Sequence, residues 1–234
     1  SDLRRILRWG FGWDRFLDRE FDGFGRIRSQ PGIGRGVARS LRRGCGADVK
    51  APTLQLDRHT GWVDGASRLL SPNHDDRPEG QLPEVLVIHA ISLPPGEYTG
   101  DAVARFFLNQ LNAAAHPYYE EICNLKVSAH FFIRREGQII QFVPTSYRAW
   151  HAGISEHRGR SNVNDFSVGV ELEGTDTDTF TVLQYQTLSV LTRLLTVSFP
   201  AITPENIVGH SDVAPGRKTD PGPGFDWARY RRMI

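Results

Sequence analysis

The feature that most constrains the fold of this chain is a short apolar run at residues 85–88 (VLVI), which ends directly in His89. A continuous run of branched aliphatic residues is typical of a strand that is buried on both faces of a sheet. A histidine at the end of such a strand projects towards the crevice where α/β proteins place their sites. The run therefore predicts a central strand that carries His89 to a functional site.

Further along the chain, helical and strand patterns alternate. Strands mixed with helices predict an α/β domain with a mixed central sheet flanked by helices. Apolar residues recur about every 3.6 residues in an amphipathic helix and every 2 residues in a half-buried strand, which distinguishes the two kinds of element. The predicted elements are a helix at 101–111, strands at 127–133 and 138–143 joined by the turn 134–137 into a hairpin, a strand at 166–172, a helix at 181–198 capped by Thr181, and a short apolar element at Ile207 and Val208.

Residues 1–56 differ from the rest, because arginines and glycines are interleaved there with scattered aromatics. Residues 3–21 have partial helical spacing, but the glycines after Gly23 break any periodicity. One interpretation is a basic arm for nucleic acid or an anionic membrane. The favoured one is an extension that is disordered or loosely packed, since composition alone rarely identifies a partner. We therefore expect residues 1–56 to be an extension and residues 57–234 to be the folded domain.

Charge and hydropathy exclude several classes of protein. The formal net charge of +1 over 234 residues is not that of a nucleic-acid-binding polyelectrolyte. No run of 18 apolar residues and no secretion signal is visible, so we expect no membrane span and a cytoplasmic location. Nothing pairs Cys45 with Cys123, so both thiols are expected to be free in a reducing compartment. A monomer is the default expectation for the oligomeric state.

The block at residues 209–223 (GHSDVAPGRKTDPGP) adds further chemistry-bearing side chains. A catalytic zinc ion typically takes three protein ligands, drawn from imidazole and carboxylate groups, and keeps one position open. His89, His210 and Asp220 make such a set, and the prolines around Asp220 restrict its loop. Lys218 stands two positions before Asp220 and can reach the same cavity.

Several linked blocks in this order give the chain from about Trp62 onward a family resemblance. It resembles the AmpD-type N-acetylmuramoyl-L-alanine amidases, in the superfamily of phage amidases and peptidoglycan recognition proteins. The resemblance covers about three quarters of the chain. The matching blocks are VIHAISLPPGEY (87–98), AHPYYEEI (115–122), VSAHFFIRREGQIIQFVP (127–144), RAWHAG (148–153), NDFSVGVELEGTD (164–176) and GHSDVAPGRKTDPGPGFDW (209–227).

This resemblance implies a fold, a cofactor and a reaction. It implies the amidase type 2 fold, one zinc ion on His89, His210 and Asp220, and cleavage of the amide between the lactyl group of N-acetylmuramic acid and L-alanine. Glu171 matches the acidic catalytic residue of the family, and Lys218 matches its lysine, which would stabilise the oxyanion. AmpD-type members act on 1,6-anhydro-muropeptides during cytoplasmic wall recycling, which lowers the signal that induces β-lactamase.

Candidate substrate contacts are Trp150, His151, Arg217, Lys126 and Asn164. Stacking on sugar and packing in the core are equally good interpretations of Trp150. An arginine at 217 suits the carboxylates of a peptide stem, but it is also consistent with a solvated loop charge.

Two positions depart from the family pattern. Ala90 stands where asparagine is common, and Gly216 stands where an acidic residue is usual. The first change is expected to weaken or shift substrate binding, and the second to loosen the loop that carries Lys218.

Two alternative functions stay open beside wall recycling. The first is a periplasmic amidase that works on intact peptidoglycan, which an export signal would support. The second is a muropeptide-binding module without catalysis, and such proteins usually lose a zinc ligand. All three ligand positions and both catalytic partners are present here, which favours cleavage.

Overall fold

The computed structural model describes residues 53–98 and 100–234. All described residues belong to one compact unit, Ala51–Ile234. Most of the predicted extension, with its helical pattern at 3–21 and with Cys45, lies outside the described residues. Leu54 and Leu56 pack against the main core, so the folded unit includes residues on the extension side of the predicted boundary at 56.

The folded unit contains short strands and mostly short helices around one sheet. The helices are α1 (Ala102–Phe107), α2 (Pro117–Ile122), α3 (Val182–Ser198), α4 (His210–Val213) and α5 (Trp227–Met233). The strands are β1 (Gln55–Leu56), β2 (Val63–Asp64), β3 (Ser67–Arg68), β4 (His74–Asp76), β5 (Val85–Ile91), β6 (Phe131–Ile133), β7 (Ile139–Gln141), β8 (Tyr147–Ala149), β9 (Glu156–His157), β10 (Arg160–Ser161), β11 (Ser167–Glu173) and β12 (Ile207–Gly209).

The central sheet has six strands in the order β12-β5-β11-β6-β7-β3. Strands β12, β5, β11 and β6 run parallel, whereas β7 is antiparallel to β6. The predicted mixed α/β architecture is thus confirmed, with the apolar run at 85–88 in β5, an interior strand that is paired on both sides. Because β12, β5 and β11 are adjacent and parallel, their carboxyl ends meet at one edge of the sheet.

Different sets of residues pack against the two faces of the sheet. On one face, alternate residues of β5 and β11 join a large core with α3 and α5 that includes Leu188 and Tyr230. On the other face, Val85 and Val87 pack in a smaller cluster with Ala152 and Phe166. Side chains alternate between the two faces along a strand, so every second residue lies on the same face. His89 therefore lies on this second face, together with Val85 and Val87.

Sequence periodicity located most of the longer elements. Helix α3 follows the predicted 181–198 segment, and Thr181 is its N-cap: the Thr181 hydroxyl accepts from the Gln184 N–H, and the Gln184 side chain accepts from the Thr181 N–H. The hairpin is also confirmed, with Phe132 opposite Ile140 in the β6–β7 register.

Two predicted elements are shorter in the structure. Helix α1 ends at Phe107 rather than at 111, and Asn109 just beyond it has a φ of 58°, a left-handed conformation incompatible with a continued helix. The predicted strand at 127–133 is a strand only from Phe131, since Ser128 bonds to Trp150 and to Asn73 instead. Among the described residues, the Cys123 thiol is free, and because Cys45 lies outside them, the expectation of two free thiols stays a prediction.

Candidate metal centre and active site

The three predicted metal ligands come from two neighbouring strands and the loop that follows them. His89 is the fifth residue of β5, and His210 is the first residue of α4, immediately after β12. Parallel pairing of β12 with β5 places these two histidines side by side at the strand ends. The chain then returns through a proline-rich loop, in which the Asp220 carbonyl accepts from the Ser211 N–H, so that Asp220 reaches both histidines.

The ligand atoms of these residues converge on one point. His89 Nδ1 lies 3.0 Å from His210 Nδ1 and 3.2 Å from Asp220 Oδ2, and His210 Nδ1 lies 3.1 Å from the same carboxylate oxygen. Tetrahedral zinc ligands at about 2.0–2.1 Å from the ion are about 3.3–3.4 Å apart. The triangle is therefore only slightly tighter than the spacing around a zinc ion.

In both His89 and His210, the ring nitrogen that points away from this centre, Nε2, already has a hydrogen-bond partner. His89 Nε2 lies 2.9 Å from His151 Nδ1, and His210 Nε2 lies 3.2 Å from the carbonyl of Ala152. A carbonyl can only accept, so the Nε2 atom of His210 carries a proton, and with a metal ion bound the lone pair of Nδ1 would face the centre. Such a tautomer is the one a metal-binding histidine needs.

The electrostatics of the trio also suit a cation. Burial, and then the neighbouring His210, lower the pKa of His89 to about 4, so its ring is neutral at pH 7. Burial alone would raise the pKa of Asp220, but the bonds to His210 and His89 outweigh it and leave the pKa well below the usual range. Two imidazoles and one carboxylate form a donor set that fits zinc.

Glu171 lies beside this set, in the middle of β11. It is the register partner of His89, and its side chain is buried. Burial, then the Asp220 charge, raise the pKa of Glu171 well above its usual value, while Lys218 acts in the opposite direction. Its Oε2 atom is buried without a hydrogen-bond partner among the described residues, which is costly unless a ligand or substrate uses it.

Lys218 enters the same region from the loop that holds Asp220. Its backbone N–H donates to the Ala214 carbonyl, which closes the turn after α4. Burial lowers the pKa of the Lys218 ammonium, and the Asp220 and Glu171 charges oppose that shift. The structure thus brings all five predicted metal and catalytic residues into one electrostatically connected group.

The candidate substrate residues are placed less uniformly. Trp150 is half-buried, and its indole N–H donates to Asp75 Oδ1 at 2.9 Å. Lys126 is exposed. Both therefore stay predictions as substrate contacts.

The other three candidates are engaged within the protein. His151 is buried, with one ring nitrogen on His89 and the other 3.0 Å from Ser167 Oγ. Asn164 Oδ1 accepts from the backbone N–H groups of His151 and Ala152. Arg217 donates to the carbonyls of Ala152 and Ile154, so it is not a solvated loop charge.

The two departures from the family pattern also have clear positions. Ala90 packs against the main core, because strand alternation turns it away from the face that carries His89. Gly216 has a φ of 74°, and a Cβ there would meet no atom within 4 Å. A side chain at 216 would thus be limited by backbone conformation rather than by space.

Sequence reasoning missed the residues that surround His151. The Ser167 hydroxyl lies against His151 Nε2, and the Ala152 carbonyl accepts from His210 Nε2, yet neither residue type signals such a role. One signal was available: Gly169 interrupts the strand pattern, and an isolated glycine in a strand often marks a close approach. A Cβ at Gly169 would lie 2.5 Å from the His151 ring.

Comparison with known proteins identifies the family of this chain. A family model described as N-acetylmuramoyl-L-alanine amidase matches residues 79–223. The 1,6-anhydro-N-acetylmuramyl-L-alanine amidase AmpD of Escherichia coli is 52% identical over 174 residues, covering 74% of this chain and 94% of that protein. The protein of the same name from Haemophilus influenzae is 47% identical over 178 residues, covering 76% and 97%.

Solved structures give the same result. A crystal structure of a selenomethionine AmpD derivative matches with a TM-score of 0.74 at 50% identity, covering 77% of this chain and 99% of that one. Over residues 53–98 and 100–234, no helix has the length and apolar character needed to cross a membrane. The family match spans more than half of the sequence, and the relatives are aligned over nearly their full length, so this chain belongs to the AmpD-type N-acetylmuramoyl-L-alanine amidases, a family of hydrolases.

Proposed function

We propose that this protein is a zinc-dependent amidase that hydrolyses the bond between the lactyl group of N-acetylmuramic acid and L-alanine in 1,6-anhydro-muropeptides. The observation that carries the proposal is the convergence of His89 Nδ1, His210 Nδ1 and Asp220 Oδ2 beside the unpartnered Oε2 of Glu171. The relatives named above are amidases of this anhydro-sugar type, which supports the choice of substrate.

A zinc ion held by His89, His210 and Asp220 would supply Lewis acidity to the amide carbonyl and to the attacking water. Glu171 has the raised pKa of a group that takes up a proton readily, so we assign it the role of removing a proton from that water. The same carboxyl group then returns a proton to the leaving amine of L-alanine.

Lys218 has a complementary role at the carbonyl oxygen. Its ammonium lies in a partly buried region, where a charge interacts more strongly than in bulk water. We assign it to stabilise the negative charge that develops on the amide oxygen during attack. Glu171 and Lys218 influence each other's pKa in opposite directions, as expected for neighbours with opposite tasks.

We place this reaction in the cytoplasmic recycling of wall fragments, as the resemblance implies, where it would lower the muropeptide signal for β-lactamase induction. A periplasmic enzyme acting on intact peptidoglycan is the second candidate. The retained metal-binding trio and Glu171 favour either enzyme over a module that only binds muropeptides.

One experiment tests the proposal and separates the candidates. The protein is incubated with anhydro-muropeptide and, separately, with intact sacculi, each with and without a chelator, and the products are identified by mass. We expect chelator-sensitive release of the stem peptide from the anhydro-muropeptide. Release from sacculi alone would favour the second candidate, and no chelator-sensitive release from either substrate would reject the enzymatic proposal.

A further inference from the structure

Given the metal site proposed above, we infer that His151 and Ala152 form one orienting segment that fixes both metal-binding imidazoles, and that Asn164 anchors this segment. His151 and Asn164 would then act as positioning residues, rather than as the substrate contacts predicted from the sequence. Four sets of contacts support this assignment.

The first contact is made by the side chain of His151. If His89 presents Nδ1 to a metal ion, its proton must be on Nε2, and that N–H donates to His151 Nδ1 across 2.9 Å. The proton of His151 is then on its own Nε2, which lies 3.0 Å from the hydroxyl oxygen of Ser167. This chain of two hydrogen bonds selects one tautomer and one ring orientation for His89.

The second contact is made by the next residue through its backbone. The Ala152 carbonyl accepts from His210 Nε2 at 3.2 Å and also from the guanidinium of Arg217 at 2.5 Å. Two consecutive residues thus receive the outward N–H groups of two different imidazoles. A shift of this dipeptide would turn both metal ligands at once.

The third set of contacts holds the dipeptide in place. The Oδ1 atom of Asn164 accepts from the backbone N–H of His151 at 3.2 Å and from that of Ala152 at 2.8 Å. Asn164 belongs to the 3-10 helix Val163–Phe166, which leads directly into β11. The anchor therefore connects the orienting segment to the strand that carries Glu171.

The fourth observation concerns the space that the segment occupies. The His151 ring lies on the backbone of Gly169, where an added Cβ would approach the ring to 2.5–2.7 Å. Non-bonded contacts this short are essentially never seen for a real Cβ atom, so only glycine permits this ring position. With 8% of its surface exposed, His151 has little contact area left for a substrate.

Matched substitutions at position 164 test the inference. Asn164→Asp keeps an oxygen that can accept both backbone N–H groups, whereas Asn164→Ala removes it. Loss of a group that orients a metal ligand typically lowers metal affinity about 10- to 100-fold. We expect that loss in Asn164→Ala, and a change of only a few fold in Asn164→Asp, when Zn²⁺ affinity is measured by competition with a chromophoric chelator.

A second pair at position 151 covers the case in which Asn164→Ala does not fold. The amide oxygen of His151→Asn takes the approximate place of Nδ1, whereas His151→Leu has similar bulk and no acceptor. The visible spectrum of the Co²⁺-loaded protein reports ligand geometry directly, and we expect it to change in His151→Leu more than in His151→Asn. The exposed His59 provides a control, since His59→Ala should leave the affinity and the spectrum unchanged.

Kinetics separate a positioning role from substrate binding. With the metal site saturated, we expect Asn164→Ala to lower kcat and leave KM for the muropeptide unchanged, because the residue does not touch the substrate. A raised KM with wild-type metal affinity and an unchanged Co²⁺ spectrum would overturn the inference. If the wild-type protein itself bound no metal, the proposed function would fail instead, so the two failures are distinguishable.

Discussion

Glu171 and His89 are register partners on the parallel strands β11 and β5, and their side chains lie on the same face of the sheet. Paired residues on neighbouring strands keep a fixed separation, because the backbone hydrogen bonds of both strands set it. The proposed proton acceptor and the first metal ligand are therefore positioned by the sheet itself. Sites built on strands in this way hold their geometry better than sites built on loops.

The first prediction concerns this carboxyl group. Glu171→Gln keeps the shape of the side chain but cannot take a proton from water, so we expect kcat to fall about 100- to 10,000-fold. Metal content, measured by atomic absorption, should stay at the wild-type level, since Glu171 is outside the ligand trio. Wild-type turnover in this variant would show that another group removes the proton.

The second prediction concerns the ammonium group at position 218. We expect Lys218→Ala to fold and to bind metal, but to lose about 100- to 1000-fold in kcat, which is the typical effect of removing one oxyanion-stabilising donor. Steady-state kinetics on anhydro-muropeptide measure the effect. A loss confined to KM would instead indicate that Lys218 binds the ground state of the substrate.

The third prediction concerns the glycine below the His151 ring. Gly169→Ala forces a methyl group to within 2.5 Å of that ring, so the ring must move away from its place beside His89. We expect a decrease in the free energy of unfolding of about 1–3 kcal/mol, typical of overpacking, measured by urea denaturation. Metal affinity should fall in the same variant, and an unchanged affinity would mean that His89 keeps its orientation without His151.

The fourth prediction concerns stability in acid. Hydrogen bonds from Arg148, which outweigh the effect of burial, lower the pKa of Asp75 below its usual value. A lowered folded-state pKa contributes stability that is present above the unfolded pKa of about 3.9 and is lost as the pH falls through the folded value. We therefore expect Asp75→Asn to be less stable than the wild type at pH 7, by about 1 kcal/mol or less, because the pair is partly exposed.

The difference between the two proteins should shrink as the pH falls below about 4, because the Asp75 carboxyl of the unfolded chain takes up a proton there before that of the folded protein does. Thermal melts from pH 2.5 to 7 by circular dichroism measure this dependence. Asp76→Asn is the matched control, since Asp76 is the exposed neighbour on the same strand. A stability difference that is constant over the whole range would contradict the prediction.

Sequence patterns located the elements whose burial is regular along the chain. β5, β11 and α3 repeat apolar residues over several positions, and the Thr181 cap has its partner Gln184 only three residues away. Strands of two or three residues, such as β3, carry too few positions for a pattern. Their pairing is decided by residues far away in the sequence, as Ser67 pairs with Ile140.

The residues of the candidate site also fall into two groups, those that the sequence predicts and those whose role only the fold reveals. Residue chemistry and strand ends predicted His89 and His210 as metal ligands, because a metal ligand must be of a certain type at a certain place, and the structure brings the two side chains together. The task of Asn164 could not be read from the sequence, since an amide oxygen is equally suited to a substrate and to a backbone N–H. Only the fold decides between the two, by placing the N–H groups of His151 and Ala152 within reach.

Strand β12 lies at the edge of the sheet, and 121 positions separate His89 from His210 in the chain. Contacts of such high sequence separation form slowly, because a long loop must close before they contribute any stability. During synthesis, a chain that ends before residue 207 has made β5 and β11 but lacks both C-terminal ligands. The reactive centre can therefore assemble only when the last strand docks, so an incomplete chain has no means of cutting a wall fragment.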